Sequence, residues 1–157
     1  MKVAATLRVN DTDYPVELDP HVSLLKAVRE ELGLTGSKEG CDDSECGACM
    51  MLLDGEPVNA CSYLALQAEK REVTTVEGLA PPGELSPLQL AFLEHGGVQC
   101  GFCTPGMLVS ATALLGTNPQ PTEDAVRIGL SGNLCRCTGY DGIVKAVLSV
   151  AADADAI

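Results

Sequence analysis

Three closely spaced cysteines lie in the segment Gly40-Cys41-Asp42-Asp43-Ser44-Glu45-Cys46-Gly47-Ala48-Cys49. Its cysteines are spaced C-x4-C-x2-C, and the next cysteine follows after eleven intervening residues. This spacing is typical of the loop that wraps a plant-type [2Fe-2S] cluster, whose two irons take four thiolates. The sequence therefore predicts a first iron–sulfur site with the ligands Cys41, Cys46, Cys49 and Cys61.

The chain has eight cysteines, and the other four form a second group. They are spaced as a C-x2-C pair, a gap of 31 residues and a C-x-C pair. Residues two positions apart point about 200° away from each other on an α-helix, so the C-x-C pair can face one metal centre only from a turn. We expect a second [2Fe-2S] site with the ligands Cys100, Cys103, Cys135 and Cys137.

Two other uses of the eight cysteines have to be weighed. A secreted protein could pair them as disulfides, but residues 1–8 lack the apolar core and cleavage site of a signal peptide. Zinc also accepts four thiolates, although its sites rarely use C-x4-C-x2-C or C-x-C spacing. Iron–sulfur clusters are favoured for both groups, and zinc stays open as an alternative, more so for the second group.

Composition narrows the class of protein. The formal net charge is −12 over 157 residues, which argues against nucleic acid and anionic membranes, because phosphate is bound by Lys and Arg. No apolar run reaches the ~18 residues of a membrane span, so we expect no membrane segment and a cytoplasmic location. With only three Tyr and two Phe, the core must be aliphatic, and bound metal would help to hold it together.

The first half of the chain mixes strand and helix patterns. Residues 3–18 alternate in polarity around a central turn, which predicts a hairpin. Ser23 can cap a helix over residues 24–32. A second hairpin over residues 50–61 would return the fourth cysteine to the loop, and a further strand is predicted at 73–76. These elements indicate an α+β unit.

The second half of the chain is helical in pattern. Ala80-Pro81-Pro82-Gly83 has the composition of a linker, so we divide the chain into domains 1–78 and 79–157. The second cysteine group should lie between helix ends in an all-α domain. Its helices are predicted to begin near Ser86, Thr104, Thr122 and Asp141.

Glycines beside the cysteines are expected to let backbone N–H groups approach the sulfur atoms, because a residue without a Cβ leaves room. Such close N–H groups stabilise an anionic centre. The glycines are Gly36, Gly40 and Gly47 in the first group and Gly101, Gly106, Gly132 and Gly139 in the second.

Three segments together resemble the small iron–sulfur subunit of molybdenum hydroxylases, the xanthine oxidase class. They are residues 40–49, Gln99-Cys100-Gly101-Phe102-Cys103-Thr104-Pro105-Gly106-Met107 and Gly132-Asn133-Leu134-Cys135-Arg136-Cys137-Thr138-Gly139-Tyr140. The resemblance covers nearly the whole chain in order. It implies an α+β fold, with an N-terminal β-grasp, plant-type ferredoxin-like domain followed by a C-terminal all-α helical-bundle domain, each holding a [2Fe-2S] cluster.

The same resemblance implies an electron-transfer subunit of an oxidoreductase whose catalytic centre lies on a partner. In similar complexes a large subunit carries molybdenum-pterin and uses water to hydroxylate an N-heterocycle, a purine or an aldehyde, and a medium subunit carries FAD. We expect this chain to pass single electrons between them in a dimer of heterotrimers, with the cytosine dinucleotide form of the pterin. The alternatives are the same role in an aerobic carbon monoxide dehydrogenase and a free-standing two-cluster ferredoxin.

Individual positions also follow from the resemblance. The Cys41 group would lie near FAD and the Cys100 group near molybdenum. Gln99 and Cys137 are expected to contact the molybdenum-pterin of the partner, although Gln99 could instead be a loop amide that satisfies backbone groups. Ser44 replaces a smaller residue of plant-type ferredoxins, and its hydroxyl could bind a sulfur atom. Arg136 is either a partner or cluster contact or a solvated cation.

Overall fold

The computed structural model describes residues 1–152, in which a mixed five-stranded sheet occupies the first half and helices occupy the second. The strands lie in the order β2-β1-β5-β3-β4, and the only parallel pair in this part of the chain is β1 with β5. The α+β class is therefore confirmed. The strands are β1 Val3–Val9, β2 Thr12–Leu18, β3 Met50–Leu53, β4 Glu56–Asn59 and β5 Glu72–Thr74.

The helices begin where the capping residues predicted them. Ser23 and Thr122 accept from backbone N–H groups three residues on, and Ser86 forms a capping box with Gln89, which satisfies donors that a helix leaves unpaired. The first helix passes into a π-helical turn at Ala27–Glu31. The helices are α1 Leu24–Lys26, α2 Pro87–Glu94, α3 Thr104–Thr117, α4 Glu123–Gly129 and α5 Asp141–Ala152.

Both predicted hairpins are present and have tight turns. Asn10 and Asp11 have φ of 50° and 61°, and Asp54 and Gly55 have φ of 53° and 84°. Two consecutive left-handed residues match the right-handed twist of the flanking strands, which is why Asn, Asp and Gly occupy these positions. The first turn consists of Asn10 and Asp11 alone, because Thr12 already pairs with Val9.

Strand β3 connects two hydrophobic cores, and all four of its residues are buried. Met51 and Leu53 belong to the core between the sheet and α1. Met50 and Leu52 point to the other face and pack against Val109 of α3, since successive side chains of a strand alternate between faces. One strand therefore attaches the sheet to the helices.

The helices α2 to α5 enclose a separate core. Phe92 of α2, Met107 of α3 and Ile143 of α5 are among its fully buried side chains. Within residues 1–152 no helix is long and apolar enough to cross a membrane.

Candidate metal centres

The first cysteine group lies in the irregular segment between α1 and β3 and at the end of β4. Cys49 directly precedes β3 and Cys61 closely follows β4, so the antiparallel pairing of Met50 with Asn59 brings these two cysteines to the same end of the hairpin. The loop curls through left-handed residues, with φ of 58° at Asp42, 67° at Ser44 and 70° at Gly47. The predicted geometry of the second hairpin is thus observed.

Backbone amides face the sulfur atoms of this loop. The N–H of Cys46 donates to Cys41 Sγ at 3.4 Å. A side-chain interaction with Asp43 opposes ionisation of Cys41, but the N–H groups of Asp43 and Cys46 outweigh it and lower its pKa. A Cβ on Gly40 would lie 2.8 Å from Cys46 Sγ. The expectation that a glycine leaves room beside sulfur therefore holds at this position.

Two polar residues that sequence reasoning did not assign complete the first site. Asn59 donates from Nδ2 to the carbonyl of Ser44 at 3.1 Å, and its Oδ1 lies 3.9 Å from Cys49 Sγ. Arg29, in the π-helical turn, donates to the carbonyls of Thr35 and Ser37 at 2.8 and 2.6 Å. Both brace irregular backbone that lacks a secondary-structure partner. Neither residue is predicted from the sequence, because the hydrogen bonds that each donates go to main-chain carbonyls.

The Ser44 hydroxyl lies 3.9 Å from Cys61 Sγ and also bonds the Ser62 hydroxyl. The contact that the sequence raised as a possibility is thus present, but it is long, and the hydroxyl is shared with a second partner. It can add only a weak polar contact to the sulfur.

The second cysteine group comes from two turns. Cys100 and Cys103 precede α3, and Cys135 and Cys137 lie in the non-helical segment between α4 and α5, as the C-x-C spacing required. The sulfur atoms of Cys137 and Cys100 are 3.6 Å apart, and both residues are exposed. Two sequence-distant pairs therefore meet at one surface site.

Hydrogen bonds organise the turn around Cys135. Thr138 Oγ1 donates to Cys135 Sγ at 3.1 Å, and the Cys135 N–H donates to the Tyr140 hydroxyl at 2.8 Å. Burial opposes ionisation of Cys135, but the Thr138 hydroxyl and nearby backbone amides outweigh it and lower its pKa to about 7. In contrast, burial raises the pKa of Cys103 to about 12, as it does for Cys49.

The donor set fits a two-iron cluster better than a single zinc ion. Within residues 1–152, no three His, Cys, Asp or Glu side chains converge as ligands of one ion, whereas a [2Fe-2S] cluster divides four thiolates between two irons. The buried hydroxyl of Thr104, next to Cys103, has no protein partner, and a buried donor normally has one. An acceptor such as a cluster sulfide would satisfy it.

The two cysteine loops touch directly. The N–H of Leu134 donates to the carbonyl of Cys46 at 2.9 Å, and Asn133 Nδ2 donates to the carbonyl of Gly47 at 3.1 Å. Asn133 is only 3% exposed, so water cannot compete for this bond. We call these two hydrogen bonds the loop bridge. It links the residue before Cys135 to a cysteine of the first group.

Glycine at two positions allows this approach. A Cβ on Gly47 would lie 2.4 Å from the carbonyl oxygen of Gly132, and one on Gly106 would lie 2.1 Å from the carbonyl oxygen of Gly47. Sequence reasoning assigned both glycines to sulfur contacts. The structure gives them a different reason, which is the close packing of one loop against the other.

The remaining candidate residues lie on the surface near the second group. Gln99 and Arg136 are exposed, as are the apolar side chains Phe102 (47%) and Leu134 (57%). Among residues 1–152, no side-chain hydrogen bond involves Gln99. Its amide therefore has no backbone group to satisfy within this part of the chain.

Two sequence families match the chain. The family described as a 2Fe-2S iron-sulfur cluster binding domain matches residues 7–80. The family described as a [2Fe-2S] binding domain matches residues 75–148. The first match contains the first cysteine group, and the second contains the other. Together they show that the chain carries two [2Fe-2S] binding domains.

Curated proteins and solved structures agree with these matches. The chain is 48% identical to the nicotinate dehydrogenase small FeS subunit of Eubacterium barkeri, covering 93% of each chain. Quinoline 2-oxidoreductase from Pseudomonas putida 86 superposes with a TM-score of 0.93 at 44% identity, over 96% of this chain and 93% of that one. Aldehyde oxidoreductase from Desulfovibrio gigas superposes with a TM-score of 0.90 at 43% identity, over 96% of this chain but 17% of that one.

The loop bridge generates a prediction with a control in the same helix. Gly106→Ala should destabilise the chain, because its methyl group meets the Gly47 carbonyl at the start of α3. Gly116→Ala lies in the same helix with nothing within 4 Å, so it should be neutral or stabilising by about 0.5–1 kcal/mol through helix propensity.

Urea titrations should give a lower free energy of unfolding for Gly106→Ala and an unchanged or higher one for Gly116→Ala. Equal effects of both substitutions would show that the close approach of Gly106 to Gly47 is unimportant for stability.

Proposed function

Because the chain belongs to the family of small iron–sulfur subunits of molybdenum hydroxylases, we propose that it carries single electrons from the molybdenum-pterin centre of a large subunit to FAD in a medium subunit. The observation that carries the proposal is the meeting of two four-cysteine loops through the loop bridge. The oxidised substrate is an N-heterocycle, a purine or an aldehyde, chosen by the large subunit.

We propose that each cysteine group holds one [2Fe-2S] cluster. The first ligand set is Cys41, Cys46, Cys49 and Cys61, and the second is Cys100, Cys103, Cys135 and Cys137. When bound, each cluster accepts and releases one electron at a time. Burial raises the thiol pKa of Cys49 and Cys103 to about 12. Both thiols must therefore give up their protons when metal binds.

The chain itself supplies a short connection between the two ligand sets. Cys46 is a ligand of the first set, its carbonyl accepts from Leu134, and Leu134 is covalently joined to Cys135 of the second set. Asn133, which is buried, donates the second hydrogen bond of the loop bridge to the Gly47 carbonyl. These residues hold the two sites at a constant separation, which electron transfer requires.

The exposure of the second site supports its proposed place beside molybdenum. Cys100 and Cys137 are exposed, and Gln99 adjoins them on the surface. A partner that covers this surface would protect the thiolates from water and would supply an acceptor or donor for the Gln99 amide. We therefore propose that Gln99 and Cys137 face the pterin, and that the Cys41 group faces the FAD subunit.

The same surface argues against a free-standing ferredoxin. Phe102 and Leu134 expose apolar area around the second site, and clustered apolar area on a surface indicates a partner. The aldehyde oxidoreductase that matches over only 17% of its length shows that this fold can be part of a much larger polypeptide. A stable complex with large partners is the proposal that both observations support.

Several finer features remain proposals about the assembly. We propose a dimer of heterotrimers, the cytosine dinucleotide form of the pterin, and a cytoplasmic location.

We also propose a domain boundary between residues 78 and 79 and an all-helical second domain. The helices α2 to α5 and their separate core support the all-helical second domain. The two family matches, which meet at residues 75–80, support the position of the boundary.

Elemental analysis of the complex that copurifies with this chain tests the proposed function. We expect about four iron atoms per chain, as two [2Fe-2S] clusters require, with molybdenum and flavin in the same fraction. A chain that purifies alone with iron would be a free ferredoxin, and zinc in place of iron would remove the redox role.

Substitution of one ligand in each group tests the proposed order. Cys137→Ser should abolish turnover while the first cluster still forms, so that iron falls to about two per chain. Cys61→Ser should leave reduction of molybdenum by substrate intact and block reduction of FAD. Stopped-flow absorbance and EPR spectroscopy would separate the two defects, and normal flavin reduction in Cys61→Ser would overturn the order.

Gln99 offers a third test, with an exposed glutamine elsewhere as its control. Gln99→Ala should leave both cluster signals intact and slow electron arrival at FAD, because an amide contact with the pterin is lost. Gln67→Ala, also at an exposed position, should change neither property. Rapid-mixing kinetics would measure the effect; equal rates for the two variants would reduce Gln99 to a loop residue.

A further inference from the structure

The turn that carries the C-x-C pair contains a hydroxyl that is bound on both sides. Thr138 Oγ1 accepts from the N–H of Tyr140 at 3.2 Å and lies 3.1 Å from Cys135 Sγ. An N–H can only donate, so the oxygen must accept there, and the hydroxyl proton is left for the sulfur. A ligand thiolate has no proton to donate, so with a cluster bound the Thr138 hydroxyl must be the donor to Cys135 Sγ.

The backbone is bent to maintain this arrangement. Gly139 and Tyr140 have φ of 66° and 69°, and a left-handed conformation is uncommon for an aromatic residue. The Tyr140 hydroxyl also accepts from the N–H of Cys135 at 2.8 Å, so that side chain and main chain both tie Tyr140 to the cysteine turn. A strained residue held by several contacts at a functional site indicates a geometric requirement there.

The hydrogen bond from the Thr138 hydroxyl should increase the electron affinity of the second cluster. Adding one electron makes the cluster more negative, and a hydrogen bond to a ligand sulfur stabilises the more negative state. The Tyr140 N–H polarises the Thr138 hydroxyl and strengthens it as a donor. Loss of the hydroxyl should therefore make the second cluster harder to reduce.

The first site has a weaker equivalent. Its hydroxyl, that of Ser44, is 3.9 Å from Cys61 Sγ and is shared with Ser62. The two sites thus differ in hydroxyl donation to sulfur, and the stronger contact is at the second site.

We propose that Thr138 is a positioning residue that raises the reduction potential of the second cluster through the hydrogen bond from its hydroxyl group to Cys135 Sγ. The inference rests on the proposed function, since it requires a [2Fe-2S] cluster on the second ligand set. The chain thereby tunes the reduction potential of the first electron acceptor after molybdenum through a side chain that is not a ligand.

Three variants of the complete complex test the proposal. Thr138→Val removes the hydroxyl at nearly constant volume, Thr138→Ser keeps it, and Thr112→Val removes a hydroxyl that donates to the Leu108 carbonyl within α3. EPR-monitored redox titration would give the midpoint potential of each cluster, and iron analysis would give its occupancy.

Thr138→Val should reduce the equilibrium constant for reduction of the second cluster about tenfold, a negative shift of about 59 mV for a one-electron couple. The first cluster should not change. Thr138→Ser should keep the potential of the unmodified second cluster, and Thr112→Val should leave the potentials of both clusters unchanged. An unshifted potential in Thr138→Val, or an equal shift in Thr138→Ser, would overturn the proposal.

A measurement on the unmodified complex covers the case in which Thr138→Val fails to assemble. Electron–nuclear double resonance should detect an exchangeable proton coupled to the second cluster, present also in Thr138→Ser and removed by deuterium oxide. Its absence would overturn the proposal about Thr138. Failure of the proposed function would look different, because the unmodified complex would then lack iron at the second site or lack molybdenum and flavin.

Discussion

The carbonyl groups of Cys46 and Gly47 each accept a hydrogen bond from the opposite cysteine loop, from Leu134 and from Asn133. Both loops are irregular, and part of their main chain is paired across the contact. The Cys46 carbonyl accepts from the Leu134 N–H, and the Gly47 carbonyl accepts from Met50 on its own side as well as from Asn133. The spacing of the two cysteine groups, and with it any electron transfer between them, depends on this contact. It also explains why glycine occupies positions 47 and 106, where a side chain would separate the loops.

Packing of β3 against α3 positions the two loops that form the loop bridge. This strand sends Met51 and Leu53 into the sheet core and Met50 and Leu52 toward α3. Because α3 begins one residue after Cys103 and β3 begins one residue after Cys49, packing of the strand on the helix places the two cysteine groups near each other. The hydrophobic contact sets the approximate distance, and the hydrogen bonds then determine the register of the loops.

The sulfur atoms within one cysteine group have different environments. Burial dominates at Cys49 and Cys103, where it raises the thiol pKa to about 12. At Cys135 hydrogen bonds overcome burial and lower the pKa to about 7. Groups that stabilise a thiolate also stabilise a reduced cluster, since both carry more negative charge. Between the two sites the difference is in hydroxyl donation, which is 3.1 Å from sulfur at Thr138 and 3.9 Å at Ser44.

The local cysteine motifs, the hairpin turns and the helix starts could be predicted from the sequence, because each depends on residues a few positions away. The C-x-C pair required a turn, Asp54-Gly55 required a left-handed reversal, and Ser86 with Gln89 formed a local cap. The roles of Asn133, Gly47 and Gly106 became apparent only from the folded chain. Asn133 and Gly47 are 86 positions apart, and their contact exists only after two separate cores have packed against one strand, which no local pattern encodes.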